Sequence, residues 1–367
     1  MPPLTKLLDN YLSRVQNDSN AVEGVLFKLS ELYAKYKTLS QKGPGVRDDL
    51  KELLEQFKKA VGHSFKNFEE DASKEQQQDA IEFAEAVLES IDREMHGDDQ
   101  ENGPGSPKQA GGVSRFKQSY EVKSEVTRTC LNELCGEVSR SETHVNNVFR
   151  VSLNPLSGFH ILQEMVSENV KKVQDVPVTC EKCGHTGMQE TEIMCSKPEI
   201  LIVQICKVKD GESVIKCQEQ VVMSRTLTLP QDLAPPESPP VRENDDSSNA
   251  VVECDSDKEN TNCADDDQQK RRPVHDGSGD VTADRNEYKL YGVICHSGHL
   301  QTEGHYYSIV YSEEKQKAYA CNDTRVKSVE MTYDGGFYEN DVFDHCNIFR
   351  DCVACIYIRS DVASSSD

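Results

Sequence analysis

Residues 288–326 read YKLYGVICHSGHLQTEGHYYSIVYSEEKQKAYACNDTRV. Apolar and aromatic residues dominate Tyr288–Cys295, the run opening at His305, and the run ending at Asn322-Asp323. Ser, Gly, Glu and Asn mark the breaks between them, so the stretch predicts a strand, a Gly/His-rich turn, a second strand, another turn and a third strand. A Gly-His at the start of one strand and an Asn-Asp at the end of the next can face each other across a hairpin. That would bring an imidazole and a carboxamide or carboxylate together, the base-plus-orienter half of a nucleophilic site. Spacing alone equally allows an ordinary antiparallel meander with a polar histidine at its rim.

The wording of the stretch is more specific than its spacing. Tyr288, Leu290, Gly292, Val293, His296 and Gly298, then Gly304-His305-Tyr306, then Asn322-Asp323 closely resemble the histidine box of the ubiquitin-specific proteases, papain-like thiol deubiquitinases. The resemblance implies His305 as catalytic base, Asn322 as its orienter and Asp323 in support. It also implies substrate contacts at Gly304 and Tyr306.

The chain has 367 residues, 14 cysteines and a formal charge of −23. That length is ample for one large domain or two average ones. No run of about eighteen apolar residues exists, so no membrane span is predicted. The N-terminus, MPPLTKLLDNYLSRVQ, lacks the basic region and apolar core of a secretory signal. Cysteines in such a chain read as thiols and metal ligands, in a cytoplasmic or nuclear setting. The acidic balance argues against nucleic acid, whose phosphates need Lys and Arg, and suits a basic or mixed-charge protein partner.

Working outward toward the N-terminus, residues 20–40 place Val22, Val25, Leu26, Leu29, Leu32, Tyr33, Tyr36 and Leu39 at helical spacing, with Asn20 as N-cap. Gly43-Pro44-Gly45 breaks that helix. A second fits Val46–Val61, with Leu50, Leu53, Leu54, Phe57 and Val61 on one face. A third fits Gln76–Met95. Its opening, Gln77-Gln78-Asp79-Ala80-Ile81-Glu82-Phe83, resembles the same family's Gln-Gln-Asp box, which implies that Asp79 faces the tail of ubiquitin. An acid at a helix N-terminus is stabilised by the helix dipole and can still accept from a cationic peptide; a solvated polar first turn is the plainer alternative. Residues 97–112, GDDQENGPGSPKQAGG, have the composition of a flexible loop.

Two cysteine pairs follow, Cys130 with Cys135 and Cys180 with Cys183. Two thiolates a few residues apart on a tight turn can bind a tetrahedral zinc that a second pair completes. The pairs match the family's fingers region, where two strand tips share a structural zinc. The Leu-Asn-Glu-Leu gap in the first pair is two residues longer than usual, and four reduced thiols are the other possibility. Cys195, Cys206 and Cys217 have no such pairing and read as buried strand thiols.

Glu199–Val208, EILIVQICKV, is an apolar β-branched run and predicts a buried strand. Residues 231–287 differ in kind. They hold 16 acidic and 6 basic residues, with too few apolar side chains to offset ordering entropy, and predict a disordered acidic insertion. Asp351–Arg359, DCVACIYIR, predicts a closing strand. Strict alternation there puts Val353, Cys355 and Tyr357 on one face and Cys352, Ala354, Ile356 and Ile358 on the other.

The family's nucleophile box, roughly Gly-Asn-x-Cys-Tyr, has no match, and the first cysteine is Cys130. A truncated deubiquitinase and a ubiquitin-binding pseudo-enzyme or zinc-stabilised scaffold are both consistent with that; Cys295, beside His296, is the one nearby substitute. The expectation is an α+β chain of the papain-like ubiquitin-specific protease type. It would comprise a helical thumb (1–96), a flexible loop (97–112), fingers and first palm strands (113–230), the acidic insertion (231–287), the palm with the histidine box (288–359) and a tail (360–367). Ubiquitin or ubiquitinated proteins are the implied partners, and structural zinc the implied cofactor.

Overall fold

The computed structural model describes residues 24–40, 47–64, 79–96, 115–139, 142–153, 158–207, 216–231, 233, 286–300, 303–312, 315–323, 325–330, 341–343 and 346–363. Helices α1 (Val25–Ser40), α2 (Arg47–Ser64), α3 (Ala80–His96) and α4 (Arg115–Tyr120) come first. Next are β1 (Val122–Cys130), β2 (Glu142–Asn146), β3 (Phe149–Ser152), β4 (Phe159–Ile161), α5 (Leu162–Asn169), β5 (Lys171–Thr179) and β6 (Thr186–Met194). Then follow β7 (Ile200–Cys206), β8 (Gln220–Val222), β9 (Thr226–Thr228), β10 (Glu287–Ser297), β11 (His305–Ser312), β12 (Lys317–Asn322) and β13 (Arg325–Val329). The chain closes with β14 (Asp341–Phe343), β15 (Cys346–Asn347), α6 (Ile348–Asp351), β16 (Cys352–Arg359) and α7 (Ser360–Ala363).

Why β7 is apolar at all but one position, Gln204, is clear from what covers its two faces. Ile200 and Ile202 pack into a core with Val25, Leu26, Phe57, Val61, Ile81 and Ile91 of the first three helices. Leu201, Val203 and Ile205 point the other way, into a core with Leu162, Met165, Leu290, Val293 and Tyr357. A strand covered on both faces has no use for alternation. The central sheet runs β13-β12-β11-β10-β16-β7-β3, with β9 beside β10. Its pairings are antiparallel except β3 with β7, which is parallel. The long excursion through the finger strands separates those two, as a parallel pair requires.

The first three helices form one layer on this sheet. Asn20, the expected cap of α1, lies outside the described residues. Instead the Val25 and Leu26 N–H groups donate to the Glu94 carboxylate of α3, at 2.6 and 2.9 Å. That contact ties two helix ends together and satisfies donors a helix start leaves open. It also needs Gly24, where a Cβ would collide with the Glu94 carboxylate.

The fingers are a second antiparallel sheet, β2-β1-β6-β5. One of its two outer strands, β5, exposes Val173 and Val178 and begins with Lys171 and Lys172. Pro177 interrupts it within a register shift between Val176 and Thr179. Helix α5 was not anticipated from sequence. Its buried face is only Leu162, Met165 and Val166, too few positions for helical periodicity to stand out from the strands around it.

One expectation is corrected by a bulge. In β16, Cys352 pairs with Cys295 and Ala354 with Ile294, so Val353 is an extra residue. The bulge turns Cys352 to the same side as Cys355, and their sulfurs are 3.5 Å apart in the buried core. Strict alternation had placed them on opposite faces; one inserted residue reverses the face. Cys195, Cys206 and Cys217, read as buried, are half-buried, and only Cys206 lies in a strand. The 97–112 loop, and the acidic insertion apart from residues 231, 233, 286 and 287, lie outside the described residues. Among the described residues no helix is long and apolar enough to cross a membrane.

Candidate active site

His305 opens β11 and Asn322 closes β12, on neighbouring antiparallel strands. His305 Nε2 is 2.6 Å from Asn322 Oδ1. Because a carboxamide oxygen only accepts, Nε2 carries the ring proton and Nδ1 keeps its lone pair. Asp323 stands behind, its Oδ2 3.7 Å from the same nitrogen, with 76% of its side chain exposed against 45% for His305. Asp323 is left-handed at φ 50°, a conformation that Asp tolerates better than most residues and that turns the chain into β13.

The turn that delivers His305 is tight. A Cβ at Gly298 would lie 2.6 Å from the Glu303 carbonyl oxygen, and one at Gly304 would lie 2.6 Å from His296 Nε2. Both positions are therefore glycine because backbone and ring approach too closely for a side chain. Tyr306 follows His305 and reaches the helical layer, where its hydroxyl accepts from the Ala80 N–H at 3.4 Å.

Asp79 caps α3. Its Oδ1 accepts from the Ile81 and Glu82 N–H groups at 2.6 and 3.2 Å. The residue thus has a structural task of its own. It also lines a groove of about 250 Å³ between α3 and the central sheet, with Ile81, Ile205, Val353, His296 and Tyr306. The apolar floor suits an extended chain, with Asp79 at one side and Lys207 and Lys216 also on the lining.

The four finger cysteines come together. Cys130 and Cys183 sulfurs are 3.6 Å apart, Cys135 and Cys180 sulfurs 3.9 Å, and all four lie within 4.8 Å of one another. A tetrahedral ion bound at about 2.3 Å to each sulfur needs edges of roughly 3.8 Å. The site could therefore hold a metal ion despite the longer first gap. That gap is absorbed by a turn in which Cys135 and Gly136 N–H groups donate to the Asn132 carbonyl. The Cys183 and Lys182 N–H groups lower the pKa of the Cys180 thiol, whereas burial raises that of Cys130.

Two residues that sequence reasoning left without a role sit beside His305. His296 is almost fully buried and packs against Tyr306, with centroids 4.6 Å apart and the rings tilted by 43°. Lys216, 4% exposed, donates to the His296 carbonyl and lies 3.5 Å from its Nδ1. Nothing in the local sequence marks Lys216, a lysine outside any periodic run. Cys295, the possible substitute nucleophile, is fully buried in the core, and burial pushes its thiol well above the ordinary range.

A family profile described as ubiquitin carboxyl-terminal hydrolase matches residues 1–344. Among solved structures, the chain is similar to the SAGA DUB module of Ubp8, Sgf11, Sus1 and Sgf73 bound to monoubiquitin. The TM-score is 0.51 at 13% identity, over 84% of this chain and 53% of that one. The chain thus spans about half the length of the solved chain it matches. No curated protein matches the sequence.

Proposed function

The chain belongs to the ubiquitin carboxyl-terminal hydrolase family, and from that premise we propose that its groove between α3 and the central sheet receives the C-terminal tail of ubiquitin. His305 is then the base and Asn322 the orienter of a thiol isopeptidase site, with Asp323 in support. The observation that carries this is the 2.6 Å contact between His305 Nε2 and Asn322 Oδ1, beside a groove that Asp79 and Tyr306 line. The carboxamide holds the ring with Nδ1 open to take a proton from a thiol. Gly304 leaves room at the turn, and Asp79 supplies the negative charge for a cationic tail.

Hydrolysis needs a thiolate within reach of His305. Cys295 cannot supply one, because a fully buried thiol with a raised pKa stays protonated. The finger cysteines belong to the tetrathiolate cluster, for which zinc is the fitting ion: four sulfur donors close its coordination and leave no position for chemistry. Zinc would hold the finger tips together and take no part in bond cleavage. Because the family's nucleophile box has no match in the sequence, we expect these 367 residues, taken alone, to bind ubiquitin and not to cut it.

A ubiquitin derivative with a C-terminal electrophile separates binding from cleavage. Ubiquitin amide resonances at the C-terminal tail should shift on addition of the chain, while the electrophilic derivative remains unattached. Covalent attachment would show that a nucleophile operates. Unshifted ubiquitin resonances would remove ubiquitin binding and leave a zinc-stabilised scaffold.

A further inference from the structure

We infer that Lys216 and His296 form a buried positioning pair that seats the Gly304–Tyr306 backbone and so holds His305 against Asn322. The inference rests on the reading of His305 as a base, and it adds two residues that act through the position of that ring.

The geometry runs in one line through the site. His296 and Tyr306 are direct partners across the β10–β11 ladder, and their rings are in contact, tilted by 43°. The His296 ring occupies the space beside the Gly304 Cα, so closely that a Cβ there would meet Nε2 at 2.6 Å. The ring is thus a wall against the residue preceding His305. What fixes that wall is Lys216, whose ammonium contacts both the carbonyl and the Nδ1 of His296. An ammonium only donates, so Nδ1 accepts and Nε2, facing Gly304, carries the proton.

The same segment braces the turn from outside. The Lys216 N–H donates to the His299 carbonyl at 2.9 Å, and the Gln218 side chain donates to the Gly298 carbonyl at 3.4 Å. On the far side, the Tyr306 hydroxyl accepts from Ala80 at the start of α3. Lys216 therefore connects to the helical layer through His296 and Tyr306, and His305 lies between the last two anchors.

A lysine that is 96% buried is costly unless it has a task. Here burial lowers its pKa to about 8, and burial followed by the Lys216 charge lowers that of His296. Both directions agree with a pair kept dry. A neutral His296 also keeps a second cation away from His305.

Histidine-selective ¹⁵N NMR on the full chain tests this directly, since a protected Nε2 proton reports the His305–Asn322 contact. Asn322→Ala identifies that signal by abolishing it. Lys216→Met has nearly the volume of lysine and no donors. The expected result is loss of the protected His305 proton while thermal stability and metal content stay those of a folded protein. A folded Lys216→Met chain that keeps the signal overturns the inference. If Lys216→Met does not fold, His296→Asn decides in the same way: signal lost supports the pair, signal kept overturns it. Ubiquitin titration of the wild-type chain is read separately. Its failure removes the tail-binding function and leaves the His305 result standing on its own.

Discussion

His305 is held by a carboxamide rather than by a carboxylate. Its Nε2 lies 2.6 Å from Asn322 Oδ1 and 3.7 Å from Asp323 Oδ2, and only the first distance is a hydrogen bond. The ring's orientation therefore depends on a neutral partner on the adjacent strand. Asn322→Ala should release the ring and abolish the protected Nε2 proton, at a cost of about 1 kcal/mol in stability. Asp323→Ala should leave that proton in place. Equal loss in both variants would mean that Asn322 and Asp323 share the task.

Asp79 does two things that substitutions can separate. As the N-cap of α3 it contributes about 1 kcal/mol, which Asp79→Ala should remove. Asp79→Ser keeps a capping oxygen and discards the charge. It should melt close to wild type and bind ubiquitin more weakly, measured by calorimetry. Unchanged affinity in Asp79→Ser would leave Asp79 as a cap only.

The tetrathiolate cluster should be local in its effect. Cys180→Ser, or a chelator, should strip bound zinc and expose the tips of β5 and β6 to hydrogen exchange. Protection in β7 and β16 should persist, because those strands sit in the two cores. Acidification should release the metal as the thiolates take up protons. Cobalt substitution gives the optical readout, through sulfur-to-metal charge-transfer bands that disappear in Cys180→Ser.

Lys216 sets a pH dependence with a definite sign. Its pKa falls from 10.5 in the unfolded chain to about 8 in the folded one. The unfolded state thus binds more protons between those values, and this group's contribution to stability rises with pH across that window. The burden of the buried charge is complete below pH 8 and relieved by pH 10.5. Relative to wild type, Lys216→Met should therefore lose on the order of 3 kcal/mol of advantage between the two ends of the window. Urea denaturation at each pH measures the difference, which cancels the many tyrosines and thiols that titrate nearby. Parallel profiles would show that Lys216 has the same pKa in the folded and the unfolded chain.

The parts of the architecture legible in the sequence were those set by long, uniform patterns. Ile200–Cys206 is apolar at nearly every position because both faces are covered, and that reads as a buried strand whatever lies around it. The His305–Asn322 juxtaposition was legible as a possibility, since strand ends on a hairpin must meet; its distance was not. What escaped was set by single residues or by distant partners. The extra residue at Val353 flips Cys352 without any change in composition. Helix α5 shows only three buried positions. Lys216 gains its meaning from a histidine 80 residues away, and no local pattern encodes such a partner. Glu94, which caps α1 from another helix, is hidden for the same reason.

The outer margin of the fingers has one more consequence. An edge strand with bare valines is an invitation for a second chain to add on and for stacking to continue. Here Pro177 withholds an amide, the local shift in register breaks the spacing a visiting strand would need, and the paired lysines at the start repel a like copy. The β5 edge can thus stay exposed, in concentrated solution, without seeding fibres. Replacing Pro177 would put that self-restraint at risk before it harmed the fold.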